Sequence, residues 1–194
     1  TPLVFFDDAV RALFLVTDAV KPESAEAVRH LREMGKRTVL LTGDTRGAAE
    51  RVGSLLGVDE IVAEVRPQDK MAVVERFQAA GHTVAMVGDG INDAPALKRA
   101  HVGIAMGTGT DIAREAGDVV LVRGNLEALG EAFVISDAMF RKIRQNLFWA
   151  FFYNVVALPL AFLGLLHPLM AEAAMALSSL NVVGNSLRLR RLVP

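Results

Sequence analysis

Residues 147–166 (LFWAFFYNVVALPLAFLGLL) contain no charged side chain across twenty positions. As a helix rising about 1.5 Å per residue, that stretch is about 30 Å long, the thickness of a bilayer core. Uncharged runs of this length rarely occur in soluble folds, so a buried core hairpin is the weaker alternative. Residues 169–187 (LMAEAAMALSSLNVVGNSL) form a second and weaker candidate span, carrying the single acid Glu172 near its outer end. His167-Pro168 reads as the turn between them. Arg141, Lys142 and Arg144 precede the first span, and Arg188, Arg190 and Arg191 follow the second. Under the positive-inside tendency both chain ends are cytoplasmic and the turn lies outside.

The first 144 residues read differently, because charges are scattered through them and short β-branched runs alternate with helical patterns. This alternation predicts an α/β fold with a mostly parallel sheet flanked by helices. The strand candidates are 12–17, 37–41, 83–87, 102–105 and 119–122. Ala27, Val28 and Leu31 share one face of a helix that starts near Pro22 and stops at Gly35. Met71, Val74 and Phe77 do the same after Pro67, with Gly81 as the stop. Asp111 is placed as the N-cap of a helix over 112–116, ended by Gly117.

Composition removes some classes of function. A formal net charge of -1 offers no electrostatic case for a nucleic-acid partner. The absence of cysteine excludes disulfides, thiolate nucleophiles and Cys-ligated metal sites within these residues. The first residues are not Met and have no basic region, so a secretory signal is not expected. The chain is read as cut from something longer.

Three patterns carry chemistry. Val39-Leu40-Leu41-Thr42-Gly43-Asp44 delivers a hydroxyl, a glycine and an acid at the end of an apolar strand, where open α/β sheets bind ligands. A plain strand-to-helix turn with an Asp cap would look the same. The second, Gly88-Asp89-Gly90-Ile91-Asn92-Asp93-Ala94-Pro95-Ala96-Leu97, ends another strand with two carboxylates four residues apart and an amide beside them. These hard oxygen ligands suit Mg²⁺, which usually works through one or two carboxylates plus substrate phosphate. The third is Lys70, in Arg66-Pro67-Gln68-Asp69-Lys70, a cation at a helix start that can offset phosphate charge.

In this order, the Thr-Gly-Asp, Pro-Gln-Asp-Lys and Gly-Asp-Gly-Ile-Asn-Asp-Ala-Pro-Ala-Leu motifs resemble the phosphorylation domain of P-type ATPases. Those pumps have a haloacid-dehalogenase-like, Rossmann-like fold. Gly103-Ile104-Ala105-Met106-Gly107-Thr108-Gly109-Thr110-Asp111, with Glu115-Ala116, fits the same family. The resemblance implies residues 1–10 as a remnant of a nucleotide-binding domain, 11–140 as the phosphorylation domain and 141–194 as two transmembrane helices. It implies that Asp89 and Asp93 bind Mg²⁺ and that Thr42, Lys70 and Asn92 contact the phosphoryl group. Asp44, with Gly43, would order the site, and Gly88 and Gly90 would line the cofactor's place. ATP would be bound mainly by a domain outside this chain.

The spans bear on the transported ion. Tyr153-Asn154 lies within the first, and Met175 with Ser178 and Ser179 within the second. Polar side chains inside a span mark an ion path or glue helices together. A thioether is a soft ligand favouring Cu(I). The Tyr-Asn pair and Met-x-x-Ser-Ser pattern resemble the copper-exporting class, whereas the zinc class places a Lys and an Asp in these spans. The implied partners are the copper ion, the bilayer and the rest of one pump, with its nucleotide-binding domain, actuator domain and earlier spans.

The family's Asp-Lys-Thr-Gly-Thr motif, with the phosphorylated aspartate, does not occur here. Asp7, after Val4-Phe5-Phe6, is a substitute that would make the chain a membrane-anchored phosphatase. Ala9 stands where a general acid or Thr is expected, so Asp7-Asp8 is read instead as a hairpin turn. The remaining alternative is a non-catalytic truncation product. Without the strand bearing the missing aspartate, the sheet is expected to keep an unpaired edge.

Overall fold

The computed structural model describes residues 2–7, 9–15, 19–165 and 167–188. It divides into two units, 1–130 and 131–194. In the first, strands β1 (Pro2–Asp7) and β2 (Ala9–Leu15) form an antiparallel ribbon in which Asp7 faces Ala9. Asp7 therefore ends a hairpin strand, in keeping with the turn reading. Asp8, Val16 and Thr17 lie outside the described residues.

A right-handed α/β succession follows: α1 (Pro22–Glu33), β3 (Val39–Leu41), α2 (Arg46–Leu56), β4 (Glu60–Val62), α3 (Lys70–Ala79), β5 (Ala85–Gly88), α4 (Ala94–Arg99), β6 (Val102–Met106), α5 (Asp111–Ala116) and β7 (Val119–Leu121). Among the described residues the parallel strands form two sheets, β3-β4 and β5-β6-β7. No ladder joins β3 to β5, and each keeps one unpaired edge. The expected single sheet is thus split, because no strand lies hydrogen-bonded between the two. Leu41 of β3 nevertheless packs on the core that contains Met86 of β5.

That core is Val74, Met86, Ala96, Leu97, Ala113 and Ala116, with Leu97 fully buried. Gly103 permits it, since a Cβ there would come 2.6 Å from the Leu97 carbonyl oxygen. Helix stops follow the glycines. At Gly35 (φ 72°) the Gly35 amide bonds Arg32 O and the Lys36 amide bonds Leu31 O, a Schellman closure available to a residue without Cβ strain. One cap differs from expectation. Thr110, not Asp111, caps α5, its hydroxyl accepting the Ala113 amide at 3.3 Å, while Asp111 is the first helical residue. Strand β4 had no candidate, because Glu60-Ile61-Val62 is too short to show a period.

Asp59 fastens the start of β4 to that of β3. Its carboxylate accepts the Thr38 amide and hydroxyl, both at 2.8 Å, and pairs with Arg32 at 2.9 Å. The Thr38 amide, then the hydroxyl and the Arg32 charge, hold the Asp59 pKa below its usual value.

In the second unit α6 (Glu127–Phe162) runs without a break through the first expected span, carrying Pro159 in its last turn. Among the described residues it is the one helix long and apolar enough to cross a membrane. α7 (Pro168–Leu187) has the length of the second expected span but includes Glu172 and two amides, Asn181 and Asn185. His167 caps α7, its Nδ1 accepting the Leu169 amide at 3.3 Å.

Two outcomes are expected. Leu97→Ala lowers stability by about 2–5 kcal/mol, read by calorimetric unfolding of the detergent-solubilised chain. Asp59 is stabilising where it is ionised in the folded state, so its contribution is present above the unfolded pKa and is lost as pH falls through the folded one. The midpoint difference between the native chain and Asp59→Asn, present at neutral pH, should therefore close as pH falls below about 4.

Candidate functional site

The carboxyl end of β3 makes a self-contained turn. The Thr42 hydroxyl donates to Asp44 Oδ2 at 3.2 Å, and the Asp44 amide donates to Thr42 Oγ1 at 3.1 Å. Asp44 does not cap α2, whose N-cap is Thr45, so the plain-cap reading of this motif fails. Gly43 is used for close approach, since a Cβ would meet the Val65 carbonyl oxygen at 3.2 Å. The Val65 amide bonds the Thr42 carbonyl at 3.1 Å, seating the segment after β4 on this turn.

That segment leads directly to the second motif. Pro67–Asp69 forms a 3₁₀ turn that packs against a second such turn, Ile91–Asp93, after β5. Lys70, the next residue, places Nζ 2.7 Å from Asp93 Oδ1. Their side chains are 17% and 11% exposed, so this pair is largely withdrawn from water and stands apart from the solvated pairs elsewhere. Asp93 Oδ2 accepts the Gly90 amide at 3.1 Å and the Asp89 amide at 3.4 Å. Asp89 itself is exposed, as are Asn92 and Asp44. Gly88 is needed by Asp93, because a Cβ there would lie 2.6 Å from the Asp93 Cβ.

The loop after β6 supports Asp89 from the other side, a role the sequence reading did not assign. The Thr110 amide bonds the Asp89 carbonyl at 2.9 Å, and a Cβ on Gly109 would meet that carbonyl oxygen at 2.5 Å. Asp118 likewise fixes β6, accepting the Gly103 amide at 2.7 Å. The alternation of glycines with Thr108 and Thr110 was the available signal.

Among the described residues no three of His, Cys, Asp or Glu gather as a metal site. Asp93 Oδ1 is engaged by Lys70 and its Oδ2 by two amides, while the Asp89 carboxylate is exposed beside them. Hard oxygen donors of this kind suit a cation such as Mg²⁺ that completes its shell with phosphate oxygens and water.

Within α6 and α7, the Asn154 Nδ2 donates to Ala150 O at 2.7 Å and the Ser179 hydroxyl donates to Met175 O at 3.0 Å. Tyr153 and Ser178 are half-buried, whereas Asn154, Met175 and Ser179 are exposed. These five residues are not brought into one cluster by the helix pair.

A haloacid dehalogenase-like hydrolase family model matches residues 2–101, and a second of the same description matches 71–133. The chain belongs to the haloacid dehalogenase-like hydrolases. It is 52% identical over 187 residues to the cation-transporting P-type ATPase B of Mycobacterium tuberculosis, covering 96% of this chain and 25% of that protein. It is 47% identical over 190 residues to a copper-exporting P-type ATPase of Staphylococcus haemolyticus, covering 98% of this chain and 24% of that one. The crystal structure of a zinc-transporting PIB-type ATPase in its E2.Pi state superposes with a TM-score of 0.87 at 36% identity, over 94% of this chain and 30% of that chain. The chain thus spans about a quarter of the curated relatives it matches.

A double-mutant cycle of Lys70→Met and Asp93→Asn should return a coupling energy of about 1–3 kcal/mol by calorimetric unfolding. The exposed Arg29–Glu26 pair should return under about 1 kcal/mol.

Proposed function

We propose that this chain is the phosphorylation-domain and membrane-hairpin portion of an ATP-driven Cu(I) export pump, working through an aspartyl phosphate whose aspartate lies outside these residues. The observation that carries the phosphoryl-transfer reading is the Lys70–Asp93 pair at the end of β5, with Asp89 exposed beside it. Phosphoryl transfer asks chiefly for positioning and charge neutralisation. Asp89 and Asp93 would hold Mg²⁺, whose positive charge draws in phosphate oxygens. Lys70 supplies a second positive charge at the same point. Thr42 offers a hydroxyl at the end of β3, its orientation fixed by Asp44, and Asn92 offers an exposed amide. The unpaired edges of β3 and β5 fit a further strand carrying the aspartate between them. Gly88 and Gly90 keep the approach to Asp93 open, and ATP itself is held mainly by a separate nucleotide-binding domain.

Copper rests on the membrane residues. Between Gln145 and Leu187 the one charged residue is Glu172, so the spans offer little carboxylate to compensate a divalent ion. Met175 offers a soft thioether, and Tyr153, Asn154, Ser178 and Ser179 offer oxygens along the same two helices, not gathered with it in one cluster. The flanking basic residues support a reading in which both ends and the α/β domain are cytoplasmic in a multi-pass membrane protein.

The test is ATP hydrolysis by the native polypeptide purified from membranes. Cu(I) should stimulate it, Asp89→Asn should reduce it by about 100-fold or more, and Met175→Leu should raise the Cu(I) concentration needed. Hydrolysis without metal stimulation would sink the pump reading, and stimulation by Zn²⁺ alone would sink the copper assignment.

A further inference from the structure

The inner faces of α6 and α7 are tied at one end by a polar clamp. Asn185 Nδ2 donates to Asn146 Oδ1 at 2.8 Å and to Gln145 Oε1 at 3.2 Å. Asn185 Oδ1 accepts the Lys142 ammonium at 2.9 Å, and Asn146 Nδ2 donates to the Ser186 hydroxyl at 2.9 Å. Every donor and acceptor site of the Asn185 amide that a neighbour can reach is used. A flipped amide would set its NH₂ against Lys142, so the network admits one orientation.

The short link after Gly164 makes the helices antiparallel. Tyr153 lies seven residues beyond Asn146 along α6, and Ser178 lies seven residues before Asn185 along α7. Each separation is about 10 Å of helix. Pairing Asn146 with Asn185 thus sets Tyr153 level with Ser178, and it also sets Ala150 level with Asn181 and Ala157 with Ala174. All of these positions are half-buried, whereas the residues between them largely face outward. The burial pattern agrees with the register that the clamp gives, although a slip of one turn would preserve the pattern, so the clamp alone selects it.

We infer that Asn185, held by Lys142 and Asn146, is a positioning residue that fixes the register of α6 on α7 and so sets the depth of Tyr153 against Ser178. In lipid, apolar helix faces gain little from one register over another, because the tails are as apolar as Leu. A slip of three or four residues would keep much of the apolar contact and forfeit the clamp. A single polar residue in a seam fixes coiled-coil register in the same way. The functional arm of this inference rests on the ion site proposed above, whereas the register arm does not.

The test uses paired cysteines in the complete polypeptide in native membranes, with the disulfide-linked peptide pair identified by mass spectrometry. Disulfides need Cα atoms within about 7 Å, so they report register. Ala157→Cys with Ala174→Cys should cross-link, and Leu160→Cys with Ala174→Cys, three residues out of register, should not. Adding Asn185→Leu should shift cross-linking toward the second pair and raise the Cu(I) concentration for half-maximal ATPase stimulation while leaving the KM for ATP unchanged. Asn185→Asp, which keeps the oxygen for Lys142 but loses the donations to Asn146 and Gln145, should restore both only in part. An unchanged cross-linking pattern in both Asn185→Leu and Asn146→Leu overturns the inference, whichever ion is carried. A register shift without any copper response sustains the clamp and counts against the copper reading.

Discussion

The carboxylate of Asp93 accepts the amides of Gly90 and Asp89 and the ammonium of Lys70, and the loop after β5 has its shape because of that convergence. Asp93 is 8% exposed, and an ionised carboxylate that far from water needs hydrogen bonds and a counter-charge. Lys70 supplies the charge, and because it opens α3 it binds that helix to the end of β5. The two amides hold the turn that presents Asp89 outward. Gly88 is glycine so that the Asp93 side chain can lie against it, and Gly109 is glycine so that the neighbouring loop can seat Asp89 from behind. Charge, turn and close packing therefore answer to one side chain, so a larger residue at Gly88 would displace it.

The division of the parallel strands into two sheets has a consequence for where stability resides. β5-β6-β7 carries the core through Met86, Ile104, Ala105 and Leu121, with α3, α4 and α5 folded over it. β3-β4 is three residues long on each strand, has no fully buried side chain of its own, and relies on Leu41 and the Asp59–Thr38 bonds. Its Thr42–Asp44 turn therefore sits on the less anchored half, whereas Asp89 and Asp93 sit on the better anchored one. A strand inserted between β3 and β5 would satisfy two rows of backbone groups at once and join the halves.

Much of this was legible in the sequence. Ala27, Val28 and Leu31 are the buried face of α1, and the helices stop at Gly35 and Gly81 as their position after apolar periods required. The Asp89 and Asp93 spacing was legible because two acids, two glycines and an amide at a strand tip exceed what a cap needs. Lys70 was legible only through its neighbours, since a lone lysine carries no signal of its own. The unread features are those of three-dimensional closeness. β4 is too short for a period to register, Thr110 and Asp111 are both competent caps, and the seat that Gly109 and Thr110 make for Asp89 joins residues twenty apart in sequence. The clamp between Asn146 and Asn185 was unreadable for the same reason, though Asn185-Ser186 was conspicuous as polarity in an apolar run.

Helices α6 and α7 divide their polar side chains between faces. Tyr153 and Ser178 turn toward the seam, while Asn154, Ser179 and Met175 are exposed, Met175 by 71%. Asn154 gives one of its two N–H groups, and Ser179 its hydroxyl, to carbonyls of their own helices four residues back, which would lower the cost of carrying them in hydrocarbon. The thioether of Met175 and the amide of Asn154 are exposed, whereas Tyr153 and Ser178 are half-buried, so the two sets differ in face. A metal site of the kind proposed above, if built on the exposed set, would need its remaining ligands from outside these residues, at a depth that the register of α6 on α7 would set.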